Sequence, residues 1–254
     1  MLKSIRKLAA GPAKPVLILQ TGDVPAGIDC ENFDRMFLRR TNFGPAGAVV
    51  VHAARQAPPA EADPFAGVVI TGSPAMVTDR EPWSERCADW LRRAAGAGAA
   101  LLGVCYGHQL LAHAFGGEVG YNPRGLELGT HSIRLRPEAR RHPLFAATPD
   151  EFKAHLAHSQ TVLRLPPGAR ALAASDHDPH QIILYSDRVV SFQFHPEYDE
   201  AVARAYVQAL AGPDPDSGMG LPVEPTPAAA ALLQRFIDHL PGLTNPALSR
   251  PGPA

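Results

Sequence analysis

Apolar residues along the chain follow two patterns. Four unbroken runs, at 16–20 (VLILQ), 48–52 (AVVVH), 65–70 (FAGVVI) and 99–104 (AALLGV), are rich in Val, Ile and Leu and are followed by turn residues. Runs of this length and composition fit strands buried on both faces of a parallel sheet. Between them lie stretches with helical spacing, clearest at 82–95 and 106–115. Strand and helix alternating in this way predicts a largely parallel sheet covered by helices on both sides. From Thr130 onward the runs shorten, to 132–135, 171–174, 181–185 and 189–194, separated by loops, which predicts an antiparallel section. A helix is expected at 202–210. The expected fold class is therefore α/β, three-layered and flavodoxin-like, with a mostly parallel central sheet and an antiparallel extension.

Proline and glycine mark the boundaries. The run 212–218 (GPDPDSG), followed by Pro222, Pro225 and Pro227, reads as a linker. Pro227 then opens a helix at 228–240, where Leu232, Leu233, Phe236 and Ile237 share one stripe. The expected organisation is a solvated leader at 1–14, one domain at 15–211, a Pro-rich linker at 212–227, and a C-terminal helix and tail at 228–254. A composition of 45% hydrophobic and 19% charged residues describes a folded rather than a disordered chain. The 24 basic and 25 acidic residues nearly cancel, which removes the electrostatic argument for a nucleic-acid partner. No apolar run approaches the ~18 residues of a membrane span. Cys30, Cys87 and Cys105 form no C-x-x-C pair and leave an odd thiol. That fits a reducing compartment, so a cytoplasmic location is expected.

Chemistry concentrates at Gly103-Val-Cys105-Tyr-Gly107-His-Gln109, where a strand meets a helix. This is a G-x-C-x-G nucleophile elbow. Small residues on both sides of Cys105 let the backbone bend sharply, and the thiol projects at a helix N-terminus, where orphan N–H groups stabilise negative charge. A second motif, Phe194-His195-Pro196-Glu197, supplies a proton shuttle. Pro196 biases His195 toward an extended conformation, in which residues i and i+2 share a face, so Glu197 can orient the His195 imidazole. Cys105, His195 and Glu197 are thus expected as nucleophile, base and orienter. The loop Thr71-Gly72-Ser73-Pro74 follows a strand and should border the elbow. Backbone N–H groups of Ser73 and Tyr106 are expected to form an oxyanion hole. The histidine pairs His155/His158 and His177/His180 have no cysteine nearby and fall in loops or strands, so hydrogen-bonded imidazoles are expected rather than a metal site. No cofactor is expected.

These motifs together resemble the class I, triad-type glutamine amidotransferases, whose G-x-C-x-G-x-Q and F-H-P-E signatures appear here in the family's order. The resemblance covers about 16–210 and is strongest to the amidotransferase half of GMP synthase and its free-standing relatives. It implies that Cys105 attacks the side-chain amide of glutamine, that His195 protonates departing ammonia, and that water releases glutamate. It also implies substrate contacts from Gly72, Gln109 and the backbone at Tyr106. His158-Ser159-Gln160-Thr-Val162 is similar to the family's H-G-D-x-V segment, with Ser159 and Gln160 in place of Gly-Asp at the substrate-cradling position. No ATP-pyrophosphatase or Walker A signature occurs in the sequence. Two partners follow as expectations: a separate ATP-dependent synthetase receiving ammonia, or a γ-glutamyl compound used directly by a γ-glutamyl peptide hydrolase. A regulatory subunit without turnover is the non-enzyme alternative.

Overall fold

Three of the apolar runs, 16–20, 65–70 and 99–104, become interior strands of a nine-stranded sheet because their side chains alternate between two buried faces, whereas 48–52, expected to be buried likewise, forms the sheet's edge and leaves Val49 exposed. In this computed structural model, residues 13–44, 46–211, 221 and 223–240 are described. The elements in chain order are β1 (Val16–Gln20), α1 (Phe33–Arg40), β2 (Ala48–His52), β3 (Gly67–Ile70), α2 (Pro82–Gly96), β4 (Leu101–Val104) and α3 (Tyr106–Ala114). Then follow β5 (Glu118–Tyr121), β6 (Glu127–Leu135), β7 (Glu151–His158), β8 (Gln160–Arg164), β9 (Arg170–Ala174), β10 (Ile182–Ser186), β11 (Val189–Phe192), α4 (Glu200–Leu210) and α5 (Pro227–Asp238). Val16 and Ile18 of β1 pack on one face with Phe37 of α1 and the apolar stripe of α5. Leu17 and Leu19 pack on the other with α2 and α3. The result is three layers.

The strand order is β2-β1-β3-β4-β11-β10-β9-β6-β7. The first five pair in parallel and the remaining pairs are antiparallel, as the change of pattern after Thr130 predicts, except that β11, expected in the antiparallel section, also pairs in parallel with β4. Strands β5 and β8 form a separate antiparallel ribbon. Register aligns the ends of three parallel strands: Ile70 is opposite Gly103, and Val104 is opposite Phe192. The segments that follow β3, β4 and β11 therefore leave the sheet together on one edge, where open parallel sheets place their ligands.

Several elements escape the apolar pattern. Strand β6 begins at Glu127 rather than at 132, and β5, β7, β8 and α1 have no counterpart among the expected elements. Strand β7 (EFKAHLAH) hides because His155 and His158 occupy buried positions that their hydrogen bonds, not their hydrophobicity, make tolerable. Helix α5 starts at Pro227 and shares the sheet's own core through Ala229, Leu232, Leu233, Phe236 and Ile237. Arg235 fastens it further, donating to the Leu144 carbonyl at 2.9 Å and to Thr148 Oγ1 at 2.8 Å. Most of the expected leader and linker, and the tail at 241–254, lie outside the described residues. Among the described residues, no helix is long and apolar enough to cross a membrane.

Candidate active site

The elbow between β4 and α3 is strained. Cys105 has φ 52° and ψ −104°, a left-handed backbone that a side chain disfavours. Its geometry is held on both sides: the Cys105 N–H donates to the Phe192 carbonyl at 2.9 Å, and the Gly107 N–H donates to the Thr71 carbonyl at 3.1 Å. The two flanking glycines are explained by contact. A β-carbon on Gly103 would stand 2.3 Å from the Gly107 carbonyl oxygen, and one on Gly107 would stand 2.5 Å from the Ile70 carbonyl oxygen. Only glycines let strand and helix approach this closely. The sulfur sits at the N-terminus of α3, 3.9 Å from the Ala157 carbonyl oxygen.

His195 and Glu197 meet this sulfur from the loop after β11. The His195 N–H donates to the His155 carbonyl at 2.9 Å, which anchors the extended segment to β7. Its Nδ1 lies 2.7 Å from Glu197 Oε1, with side chains 2% and 0% exposed. Burial alone would lower the imidazole's pKa, but the charges of Glu197 and Cys105 outweigh it and raise it to about 10. Tyr198 stacks on the ring, with centroids 3.9 Å apart and planes 14° from parallel. Arg40 of α1 grips the same loop, donating to the Tyr198 carbonyl at 2.7 Å and to that of Glu197 at 3.3 Å.

A cavity of about 240 Å³ opens over this group, and Ser73, Cys105, Tyr106, Gln109, Ser159, Gln160 and His195 all line it. Neither the Ser73 nor the Tyr106 N–H donates to an acceptor among the described residues. Gly72 lies outside the lining, beneath the imidazole: a β-carbon there would stand 3.1 Å from His195 Cε1 and 3.7 Å from Cys105 Cβ. Gln109 spends its amide N–H groups on the Gln160 carbonyl at 2.7 Å and Gln193 Oε1 at 3.1 Å. It fixes the cavity floor as well as facing it.

Behind the β7–β8 turn lies a frame that no local motif announces. His158 Nδ1 donates to the Gln160 carbonyl at 2.9 Å, and its Nε2 is 2.8 Å from Glu127 Oε2. Glu127 also accepts from Ser175 at 2.6 Å and Gln181 at 2.9 Å. Burial would raise the Glu127 carboxyl, but His158 and Ser175 hold it below its usual value. Donor atoms of Glu127, His158 and Asp178 lie within 4.8 Å of one another, a spacing that could hold a metal ion. Asp178 is itself engaged, accepting from the Thr161 hydroxyl and from the His180 N–H at 2.8 Å. Glu127, Gln193 and Tyr198 are the site residues that the motifs miss. Tyr198 directly follows the second motif, but Glu127 is revealed only by register, directly opposite His158 on the neighbouring strand. Burial pushes the Cys87 thiol up to about 12, as fits a thiol without chemistry.

The sequence model of glutamine amidotransferase class-I matches residues 28–208. The chain is 35% identical over 131 residues to a GMP synthase from Thermomicrobium roseum, covering 52% of this chain and 23% of that protein. It is 30% identical over 142 residues to gamma-glutamyl peptidase 5 of Arabidopsis thaliana, covering 55% and 57%. It thus spans about a quarter of the synthase and little more than half of the peptidase. The crystal structure of a glutamine amido transferase from Methylobacillus flagellatus superposes with a TM-score of 0.69 at 25% identity, covering 95% of this chain and 98% of that one.

Proposed function

The chain belongs to the class-I glutamine amidotransferase family, and on that premise we propose that it hydrolyses the side-chain amide of glutamine, or of a γ-glutamyl compound, through Cys105, His195 and Glu197. The Cys105 sulfur adds to the amide carbon. The oxygen takes up negative charge facing the Ser73 and Tyr106 N–H groups, which act as an oxyanion hole. His195 gives its proton to the nitrogen as the C–N bond breaks, leaving a γ-glutamyl thioester on Cys105 and a free amine. Water, deprotonated by His195, then attacks the thioester and releases glutamate and the thiol. Glu197 holds the ring in one tautomer and balances the imidazolium charge. Gln109, Ser159 and Gln160 contact the glutamyl half, and Gly72 keeps the oxyanion loop close to the imidazole.

The observation that carries this reading is a cysteine held at φ 52° beside a buried His195–Glu197 pair at 2.7 Å. Backbone strain at a single non-glycine residue persists where function requires it. A regulatory subunit without turnover would have no use for it. When glutamine is the substrate, the released ammonia is taken up by a separate ATP-dependent synthetase. The test is glutamate release by Cys105→Ala: turnover is lost while glutamine still binds, because the cavity survives loss of the nucleophile. Turnover near the wild-type rate would move the chemistry to another residue.

A further inference from the structure

The departing amine leaves on the side of the cavity where His195 delivers its proton, and that side is aromatic, polar only at the Tyr198 and Tyr206 hydroxyls. Tyr198 stacks on the His195 ring, and Tyr206 packs on Tyr198 with centroids 5.0 Å apart. Phe33 stands beside them, with Cε1 3.4 Å from where a Gly72 β-carbon would lie. Leu210, one helical turn beyond Tyr206, carries the wall to the surface, where it is 40% exposed, and Leu126 lines the same cavity at 41% exposure. The polar lining Ser73, Gln109, His158, Ser159 and Gln160 comes instead from the loop after β3, from α3, and from the end of β7 and the β7–β8 turn. Among the described residues, no Asp, Glu, Lys or Arg lines the cavity.

The two kinds of lining ask for different things. Ammonia needs no apolar wall, and a charged substituent on the amine would lose its hydration there, with the His195 imidazole, already paired with Glu197, as the nearest charge to replace it. An apolar substituent would instead cover the exposed surface of Leu210 and Leu126, beside Tyr198 and Tyr206 that are already buried, and gain from leaving water. The wall is preformed, because Phe33, Tyr198 and Tyr206 belong to a packed cluster with Ile28, Met36 and Val202, so little ordering cost opposes binding. Resting on the thiol chemistry proposed above, we infer that the preferred substrate is a γ-glutamyl amide of an uncharged, apolar amine, whose substituent lies along Tyr198, Tyr206 and Leu210. The bonds made and broken are those of the glutamine reaction, with the free apolar amine leaving in place of ammonia.

The experiment compares glutamate release by the purified chain from L-glutamine, γ-L-glutamyl-phenethylamide and γ-L-glutamyl-glycine. The expected result is a kcat/KM for the phenethylamide about 10–100-fold above glutamine, carried mainly by a lower KM, and well above the carboxylate-bearing glycine compound. Leu210→Asp, at a position already partly in water, should cut the phenethylamide-to-glutamine ratio about tenfold. Equal or better turnover of glutamine, or of γ-L-glutamyl-glycine, would overturn the inference and leave the hydrolytic reading standing. No glutamate from any of the three, with no glutamyl group on Cys105 by intact mass, would overturn both. Size-exclusion chromatography runs in parallel. A wild-type dimer that Leu210→Asp dissociates, with the substrate ratio unchanged, would assign the exposed leucines to a contact between copies and also overturn the inference.

Discussion

Replacing Glu197 by Gln is the sharpest perturbation of the site, because it removes a charge and changes almost no volume. Glu197 is fully buried with Oε1 2.7 Å from His195 Nδ1, so the amide inherits the position but not the charge. Raising the imidazole from 6.5 to about 10 corresponds to about 5 kcal/mol of preference for its protonated form. Burial opposes that preference, and Glu197 and Cys105 together create it, the Glu197 charge being the largest single cause that raises it. Losing the Glu197 charge leaves the imidazolium that forms during catalysis unbalanced and is expected to lower kcat by on the order of 10²-fold. A stability signature accompanies the loss. Because the folded-state pKa of His195 is raised, its contribution is fully present below pH ~6.5 and is lost as pH rises through about 10. The stability gap between wild type and Glu197→Gln should therefore be widest near pH 6 and narrow toward pH 10. Urea unfolding at three pH values and glutamate release at each would measure both effects. A gap that does not change with pH, or a variant keeping a third of wild-type kcat, would refute the electrostatic account of the pair.

Other substitutions test separate parts of the argument. Gly72→Ala sets a methyl group 3.1 Å from His195 Cε1, so kcat should fall about tenfold with the melting temperature nearly unchanged, because only the imidazole and the loop must give way. Gly103→Ala meets backbone at 2.3 Å and should cost about 3 kcal/mol or more, read as a large drop in urea midpoint. Cys105→Gly should be more stable than Cys105→Ala by about 1 kcal/mol, since the residue at φ 52° loses the β-carbon that makes its backbone costly; equal stabilities would remove the claim of strain. Glu127→Gln leaves His158 without its charged partner and should cost about 3–5 kcal/mol at pH 7. Since the Glu127 carboxyl is held below its usual value, that cost should shrink as pH falls below ~4.5, and a cost independent of pH would contradict it.

The nucleophile elbow and the F-H-P-E segment are legible in the chain because their constraints are local. Gly103 and Gly107 bracket Cys105 at offsets set by one strand end and one helical turn, and His195 and Glu197 share a face because extended backbone repeats every two residues. The apolar runs of β1, β3 and β4 are legible for a similar reason, since burial on both faces leaves no polar position to blur them. Tertiary structure alone decided what lies across from what. Cys105 reaches His195 because β4 and β11 pair in parallel with Val104 opposite Phe192, a register chosen by the packing of the whole sheet. Glu127 finds His158 by the register of β6 on β7, so two buried polar residues that look like errors in a strand satisfy each other. The apolar wall along Tyr198, Tyr206 and Leu210 likewise exists only once α4 docks beside the loop after β11. A sequence carries the rules for each residue's near neighbours, whereas contacts between distant segments depend on which of many chain arrangements buries the most apolar surface with its polar groups paired.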